Sequence, residues 1–202
     1  AKPEERPPTQ KELMLSGQLY DANDEELARM RVRSKTLWRR YNATVEEDAE
    51  ERTTILRELF GSVGENVCIE PPFRCDYGTF ISLGKNVFFN WECTILDCNE
   101  VKIGDNVFFG PGVQLYGATH PTNAQDRITW LESSRPITIG DNCWLGGNTV
   151  VVPGVTIGAN TTIGAGSVVT KDIPSDVIAA GNPCRVIKPA PPPQIKKRKQ
   201  PE

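Results

Sequence analysis

Histidine is almost missing from this chain: one residue, His120, in 202. A zinc centre built mainly on imidazoles needs several such ligands, so that class of metal chemistry is excluded and no metal is expected. The six cysteines (Cys68, Cys75, Cys93, Cys98, Cys143, Cys184) form no C-x-x-C pair and have no cluster of histidines nearby, which argues against a zinc site and against a disulfide framework. No G-x-S-x-G elbow, G-x-x-x-x-G-K-[ST] loop or strand-linked G-x-G-x-x-G occurs, so serine-triad and nucleotide-phosphate chemistries lack their signatures. There is no run of about eighteen apolar residues, and Ala1-Lys2-Pro3-Glu4-Glu5 lacks the apolar core of a signal peptide. A cytoplasmic protein in a reducing compartment is the expectation. A net charge of -3 supplies no bulk attraction for nucleic acid or an anionic membrane, and neither is expected as a partner.

What is present is a repeat. From Ile139 an aliphatic residue returns every sixth position: Leu145, Val151, Ile157, Ile163, Val169. Two positions before each of these five stands Cys143, Thr149, Val155, Thr161 or Ser167, and three positions before stands Asn142, Asn148, Gly154, Asn160 or Gly166. A period of six fits neither a helix nor an ordinary hairpin strand. It fits a short strand followed by a tight corner, with the aliphatic stacked inside a three-sided prism and Asn or Gly supplying the left-handed backbone at the bend. Three units make a coil of about eighteen residues, a hexapeptide parallel β-helix. Cys93 and Cys143 fall in the small-interior register, so buried thiols explain them.

In chain order, residues 1–8 read as a flexible leader and 9–62 as an N-terminal helical cap. Thr9-x-x-Glu12 is a capping box for a short helix that stops at Gly17. Asp24 caps a second helix whose Leu27, Met30, Leu37, Trp38 and Tyr41 fall mainly on one face. Thr44-x-x-Glu47 predicts the start of a third, with Ile55, Leu56, Leu59 and Phe60 lining it and Gly61 ending it. Residues 63–188 carry the coils. The turns Leu83-Gly84-Lys85-Asn86, Ile103-Gly104-Asp105-Asn106 and Ile139-Gly140-Asp141-Asn142 are near copies that mark equivalent corners, and two extra residues separate the Ile95 and Ile103 positions. Between Leu115 and Ile139 the repeat is broken by an excursion, residues 120–136, with no period of its own; a long loop leaving a rigid solenoid is where function concentrates. Residues 189–202 read as a disordered, Pro-rich and finally basic tail.

The single histidine stands at the root of that excursion. A neutral imidazole is well matched to taking a proton from an alcohol near neutral pH. A turn histidine without a catalytic role fits the same position, and the residues alone leave both readings open.

Taken together, the helical cap, Glu70-Pro71-Pro72, Arg74-Cys75-Asp76-Tyr77-Gly78, Ala118-Thr119-His120-Pro121, Pro136-Ile137-Thr138-Ile139-Gly140 and Gly181-Asn182-Pro183-Cys184-Arg185 resemble the maltose/galactoside O-acetyltransferase family of hexapeptide acyltransferases, over roughly residues 11–188. The resemblance implies a left-handed β-helix and transfer of acetyl from acetyl-CoA to a sugar hydroxyl in homotrimers with intersubunit sites. It makes His120 the general base and Asn90 a residue of the acceptor pocket. Asp76, Tyr77, Asp97 and Glu132 lie on matching pocket segments suited to a polyol, and Arg31 of the cap is expected to reach the same pocket. Cys98 and Ala22 depart from the galactoside branch, and the Arg-Cys-Asp-Tyr-Gly string leans toward the maltose branch. For the cosubstrate, Gly147, Ala165 and Thr170 match contact positions, Trp144 is expected to pack on the pantetheine arm, and Lys171, Arg185 and Lys188 to meet phosphates. An amino-sugar N-acetyltransferase, an antibiotic O-acetyltransferase and a non-catalytic scaffold are the rival readings on this fold.

Overall fold

The computed structural model describes residues 6–194; residues 1–5 of the expected leader, and 195–202 of the expected tail with its run Lys196-Lys197-Arg198-Lys199, lie outside the described residues. Helix α1, Gln10–Leu15, starts with the expected capping box: Thr9 Oγ1 accepts from the Glu12 N–H and Glu12 Oε2 accepts from the Thr9 N–H. Helix α2, Glu25–Asn42, begins at Asp24, whose Oδ1 accepts from the Glu26 and Leu27 N–H groups, and it buries Leu27, Ser34, Leu37 and Tyr41 along one face. Helix α3, Ala49–Leu59, starts later than Thr44-x-x-Glu47 predicts. The Thr44 hydroxyl donates instead to the Tyr41 carbonyl, closing the end of α2, and Asp48 Oδ2 turns back to accept from the Val45 N–H. Both side chains are thus used in the α2–α3 turn, where local hydrogen bonds compete with helix capping.

The coils form a left-handed parallel β-helix of about six turns with three sheets. The register repeats the sequence period: Leu83, Ile103, Ile139 and Ile157 stack on the first face, Phe89, Phe109, Leu145 and Ile163 on the second, and Cys75, Ile95, Leu115, Val151 and Val169 on the third. These side chains are buried and form one continuous core with Leu37, Tyr41, Ile55 and Leu59 from the cap. Phe89 and Phe109 stack with ring centroids 4.2 Å apart. At the inner corners Thr149 Oγ1 donates to the Gly146 carbonyl (2.6 Å) and Cys143 Sγ to the Gly158 carbonyl (3.1 Å), while Val155 fills the same register by packing alone. All six cysteines are free thiols, and only Cys68 is exposed.

One corner carries a ladder of side-chain amides. Asn66, Asn86, Asn106, Asn142 and Asn160 all sit at φ between 55 and 59, and each Nδ2 donates to the Oδ1 of the next, ending on Asp176 Oδ1 (φ 61). Asparagine tolerates this left-handed conformation, and the hydrogen bonds hold every coil at the same phase. The final strands, Val177–Gly181 and Cys184–Pro189, form an antiparallel hairpin that extends the second face past Ile173.

The excursion is more ordered than its aperiodic sequence suggests. Ala118–Thr119 pairs antiparallel with Leu131–Ser134, which pairs with Tyr20–Asp21 of the cap, and a single helical turn, α4 (Ala124–Arg127), lies between. The two residues added between coils help to tie this sheet down. Asn99 Nδ2 donates to the Met14 and Leu15 carbonyls and to Ser134 Oγ, while Ser134 Oγ donates to Met14 O. Helical cap, prism and excursion are thereby joined around buried polar groups, all of them paired.

Candidate active site

The small antiparallel sheet sets the first group of side chains. Tyr20 and Glu132 are direct cross-strand partners, and the buried Tyr20 hydroxyl donates to Glu132 Oε2 (2.9 Å). Burial pushes the Tyr20 phenol well above its ordinary range, so it remains a donor. The other carboxylate oxygen, Glu132 Oε1, lies 3.9 Å from His120 Nε2, across a gap too wide for a direct hydrogen bond. The imidazole is half exposed at the mouth of a cleft of about 390 Å³, and Glu132 is mostly covered.

Asp76, Tyr77, Arg31 and Cys98 line the same cleft. Arg31 Nη1 donates to Tyr77 Oη (2.8 Å) and Nη2 to the Ala22 carbonyl, so the helical cap reaches the site as expected. Cys98 Sγ donates to Asp76 Oδ2 (3.5 Å). Burial raises the Asp76 carboxyl above the usual range, opposed by the Cys98 thiol and the Arg31 charge. The cleft therefore offers carboxylates, a guanidinium and an imidazole within a small volume, a set that hydrogen-bonds a polyol and can move one of its protons.

Two expected pocket residues lie elsewhere. Asp97 is fully buried and cannot touch an acceptor. Its Oδ1 accepts from the Asp76 and Tyr77 N–H groups (3.0 and 2.9 Å), so it braces the wall from behind, and its Oδ2 has no partner among the described residues. Burial pushes this carboxyl up to about 8, against the pull of those two N–H groups. Asn90 lines a separate groove on the second face with Phe88, Phe108 and Trp144, and its Oδ1 accepts from the Trp91 N–H. Corner geometry gave Asn90 a polar outward place, but no spacing in the sequence says which cleft a corner faces.

The expected cosubstrate residues are spread over the outer surface of the later coils. Trp144 and Phe108 are more than half exposed side by side in adjacent strands. Gly147 is packed so that a Cβ would meet the Pro111 carbonyl at 3.1 Å. Ala165, Thr170 and Lys171 are exposed, as are Arg185 and Lys188 on the C-terminal hairpin, where Arg185 Nη1 donates to the Cys184 carbonyl. Tyr20, Asn23 and Trp130 also contribute to the site and are invisible to motif reading. Tyr20 needed the pairing of the cap with the excursion to be known, and Trp130 carried only the signal of an apolar residue in a polar loop. Among the described residues no group of three or more His, Cys, Asp or Glu side chains could hold a metal ion.

A helix-capped hexapeptide prism with one imidazole at the root of an excursion defines a hexapeptide-repeat acyltransferase. Residues 13–64 match the maltose acetyltransferase hexapeptide capping motif, and residues 136–171 match the bacterial transferase hexapeptide (six repeats). A putative acetyltransferase of Saccharomyces cerevisiae is 48% identical over 178 residues, covering 88% of this chain and 91% of that one. The crystal structure of a maltose O-acetyltransferase from Clostridium difficile 630 superposes with a TM-score of 0.90 at 51% identity, covering 93% of this chain and 100% of that one. A galactoside acetyltransferase in complex with coenzyme A does so at 0.90 and 41%, covering 97% and 100%. The chain belongs to the maltose/galactoside O-acetyltransferase family, and it is an acetyltransferase.

Proposed function

We propose that this protein transfers acetyl from acetyl-CoA to a hydroxyl of a glucose- or maltose-type sugar, with His120 as the general base. The observation that carries the reading is the imidazole at the mouth of a cleft whose other groups are those that bind polyols. Asp76, Arg31 and Glu132 hold the sugar hydroxyls. His120 takes the proton of the reacting hydroxyl as its oxygen attacks the thioester carbonyl. The tetrahedral intermediate collapses with loss of the CoA thiolate, which receives the proton from the imidazolium. Glu132, 3.9 Å from Nε2, favours the cation while it exists, and the Tyr20 hydroxyl fixes Glu132.

Acetyl-CoA is assigned to the outer surface of the later coils, with Trp144 against the pantetheine arm, Gly147, Ala165 and Thr170 along it, and Lys171, Arg185 and Lys188 toward the phosphates. His120 and Asn90 line different clefts of one chain, which favours a homotrimer in which the Asn90 groove of one protomer completes the His120 cleft of the next. No described helix is long and apolar enough to cross a membrane, and cytoplasmic residence is the proposed setting.

The test is thiol release from acetyl-CoA with glucose, maltose, isopropyl-thiogalactoside, glucosamine and chloramphenicol as acceptors. The expected result is turnover with the neutral sugars and a loss of about 10²–10⁴-fold in kcat in His120→Ala. Full activity in that variant would remove the general-base role, and turnover confined to glucosamine or chloramphenicol would replace the acceptor. A monomer in sedimentation equilibrium would remove the shared site.

A further inference from the structure

The later part of α2, from Arg31 to Asn42, holds five cations (Arg31, Arg33, Lys35, Arg39, Arg40) and no carboxylate, in a chain whose net charge is -3. Three of the five are committed within the fold. Arg31 donates to Tyr77 Oη and the Ala22 carbonyl, Arg33 Nη2 to the Glu58 carbonyl, and Arg40 Nε to Glu51 Oε1 (2.8 Å). Lys35 and Arg39 are exposed, and neither forms a salt bridge among the described residues. Two cations left unanswered beside an acceptor cleft call for a role.

Arg31, Lys35 and Arg39 stand four residues apart, so they form one row along the helix. The row advances about 6 Å per step and spans about 12 Å. It starts inside the polar cleft, which Arg31 lines with Asp76 and Glu132. Burial raises the Asp76 carboxyl, and among the groups opposing it are the Cys98 thiol and then the charges of Arg31 and Lys35, which sets Lys35 on the cleft side of α2. Arg39 lies over the Trp38 ring, Cζ 5.5 Å from the centroid, so its guanidinium is held near the helix. The helix packs on the strand Arg74–Cys75 through Ser34 Oγ, 3.5 Å from Cys75 Sγ. Cys75 is buried in the prism, so its neighbours Arg74 and Asp76 face outward beside α2. The carboxylates on this side are already engaged, Asp76 by Cys98 and Glu92 by Arg74 (3.5 Å). A ligand that leaves the cleft along α2 therefore meets Lys35 and then Arg39.

We infer that this row extends the acceptor site, and that the acceptor is a saccharide carrying an anionic group, a carboxylate or a phosphate, beyond the ring that is acetylated. The ring occupies the polar cleft and the anion lies against Lys35 and Arg39. The inference rests on the acceptor reading above and adds the class of acceptor. The chain as a whole is negative, so its overall field repels such a ligand, and any preference for the anion has to come from a local group. Ion pairs at an exposed row are weak one by one and are screened by salt, which sets both the size and the signature of the effect.

The experiment compares maltobionate with maltitol in the full chain; both present the same glucose ring, and they differ only in a carboxylate against a hydroxymethyl group at the far end. Kinetics with saturating acetyl-CoA and calorimetric binding are measured for the wild type, Lys35→Arg, Lys35→Glu and the double variant Lys35→Gln with Arg39→Gln. Each is run at about 0.01 M and about 1 M salt, where the screening lengths are about 30 and 3 Å. The expected wild-type ratio of maltobionate to maltitol in kcat/KM is about threefold to tenfold at low salt, carried by KM, and close to one at high salt. Lys35→Arg should keep the ratio, the double variant should bring it toward one, and Lys35→Glu should lower it further. Equal kcat/KM for the two sugars in the wild type at low salt overturns the inference while leaving sugar acetylation standing. A preference that the double variant retains, or that salt does not weaken, overturns it as well. If neither sugar is acetylated, yet maltobionate binds tighter than maltitol and the double variant abolishes the difference, the row stands and the transfer reading falls; equal binding then overturns both.

Discussion

Asp97→Asn separates the energetic role of the buried carboxyl from its geometry. The amide keeps an oxygen to accept from Asp76 N and Tyr77 N, but it cannot ionise. In the folded protein Asp97 is pushed up to about 8 by burial, whereas in the unfolded chain it titrates near 4. Between those values the folded state binds the extra proton, so stability is fully present below about pH 4 and falls as pH rises toward 8. One proton corresponds to about 1.4 kcal/mol per pH unit, or roughly 2.7 kcal/mol between pH 5 and 7. For a chain of this size that corresponds to a shift in Tm of about 5–10 °C. Asp76, raised by the same burial and facing Asp97, adds in the same direction. The assay is thermal or urea unfolding of both proteins from pH 5 to 7 at one protein concentration, read as the difference between them. The new amide N–H group lacks a partner and costs about 1–3 kcal/mol at every pH. The advantage of the wild type should therefore be largest at pH 5 and shrink by about 2–3 kcal/mol at pH 7. A difference that stays flat across this window would mean that the carboxylate is charged at pH 5, and the account of the brace would be wrong.

Glu132→Gln keeps an acceptor for the Tyr20 hydroxyl and removes the charge 3.9 Å from His120 Nε2. Unit charges at that distance interact by about 4 kcal/mol at an effective dielectric of 20 and about 1 kcal/mol in water. The half-exposed imidazole places the effect near the lower figure, so steady-state kinetics should show kcat/KM for glucose reduced about tenfold with little change in KM for acetyl-CoA. An unchanged kcat would show that Glu132 only binds sugar. Tyr20→Phe removes one buried hydroxyl and should lower kcat about threefold to tenfold while Tm falls by only a few degrees. In the double variant with Glu132→Gln the kinetic losses should be less than additive; strict additivity would show that the two residues act separately.

The prism was legible because its physics repeats. Once Leu145, Val151 and Ile157 recur at six, a single register satisfies all of them, and Asn or Gly at the corners repeats the same backbone requirement. The capping boxes divide instructively: Thr9 and Glu12 met nothing stronger, while Thr44 and Asp48 were drawn into the turn between α2 and α3. The cleft was legible only in part. His120, Glu132, Asp76 and Arg31 line one cleft, whereas Asp97 stands behind its wall as a brace. Tyr20 entered through a strand pairing across 112 residues, a distance at which no local pattern carries information. Trp130 and Ile128 lie in an aperiodic segment where exposure, not identity, is the informative quantity, and exposure is a property of the fold.

The amide ladder has a polarity that bears on how copies of this molecule meet. Every Nδ2 points toward the C-terminal end, so Asn66 is left with a carbonyl oxygen facing outward at one end and Asp176 presents a carboxylate at the other. Were two prisms to abut head to tail along this edge, oxygen would face oxygen with no proton between them. The two ends of this edge thus present like rather than complementary groups, which adds to the cover that α2 and α3 already give the first coil against end-to-end stacking.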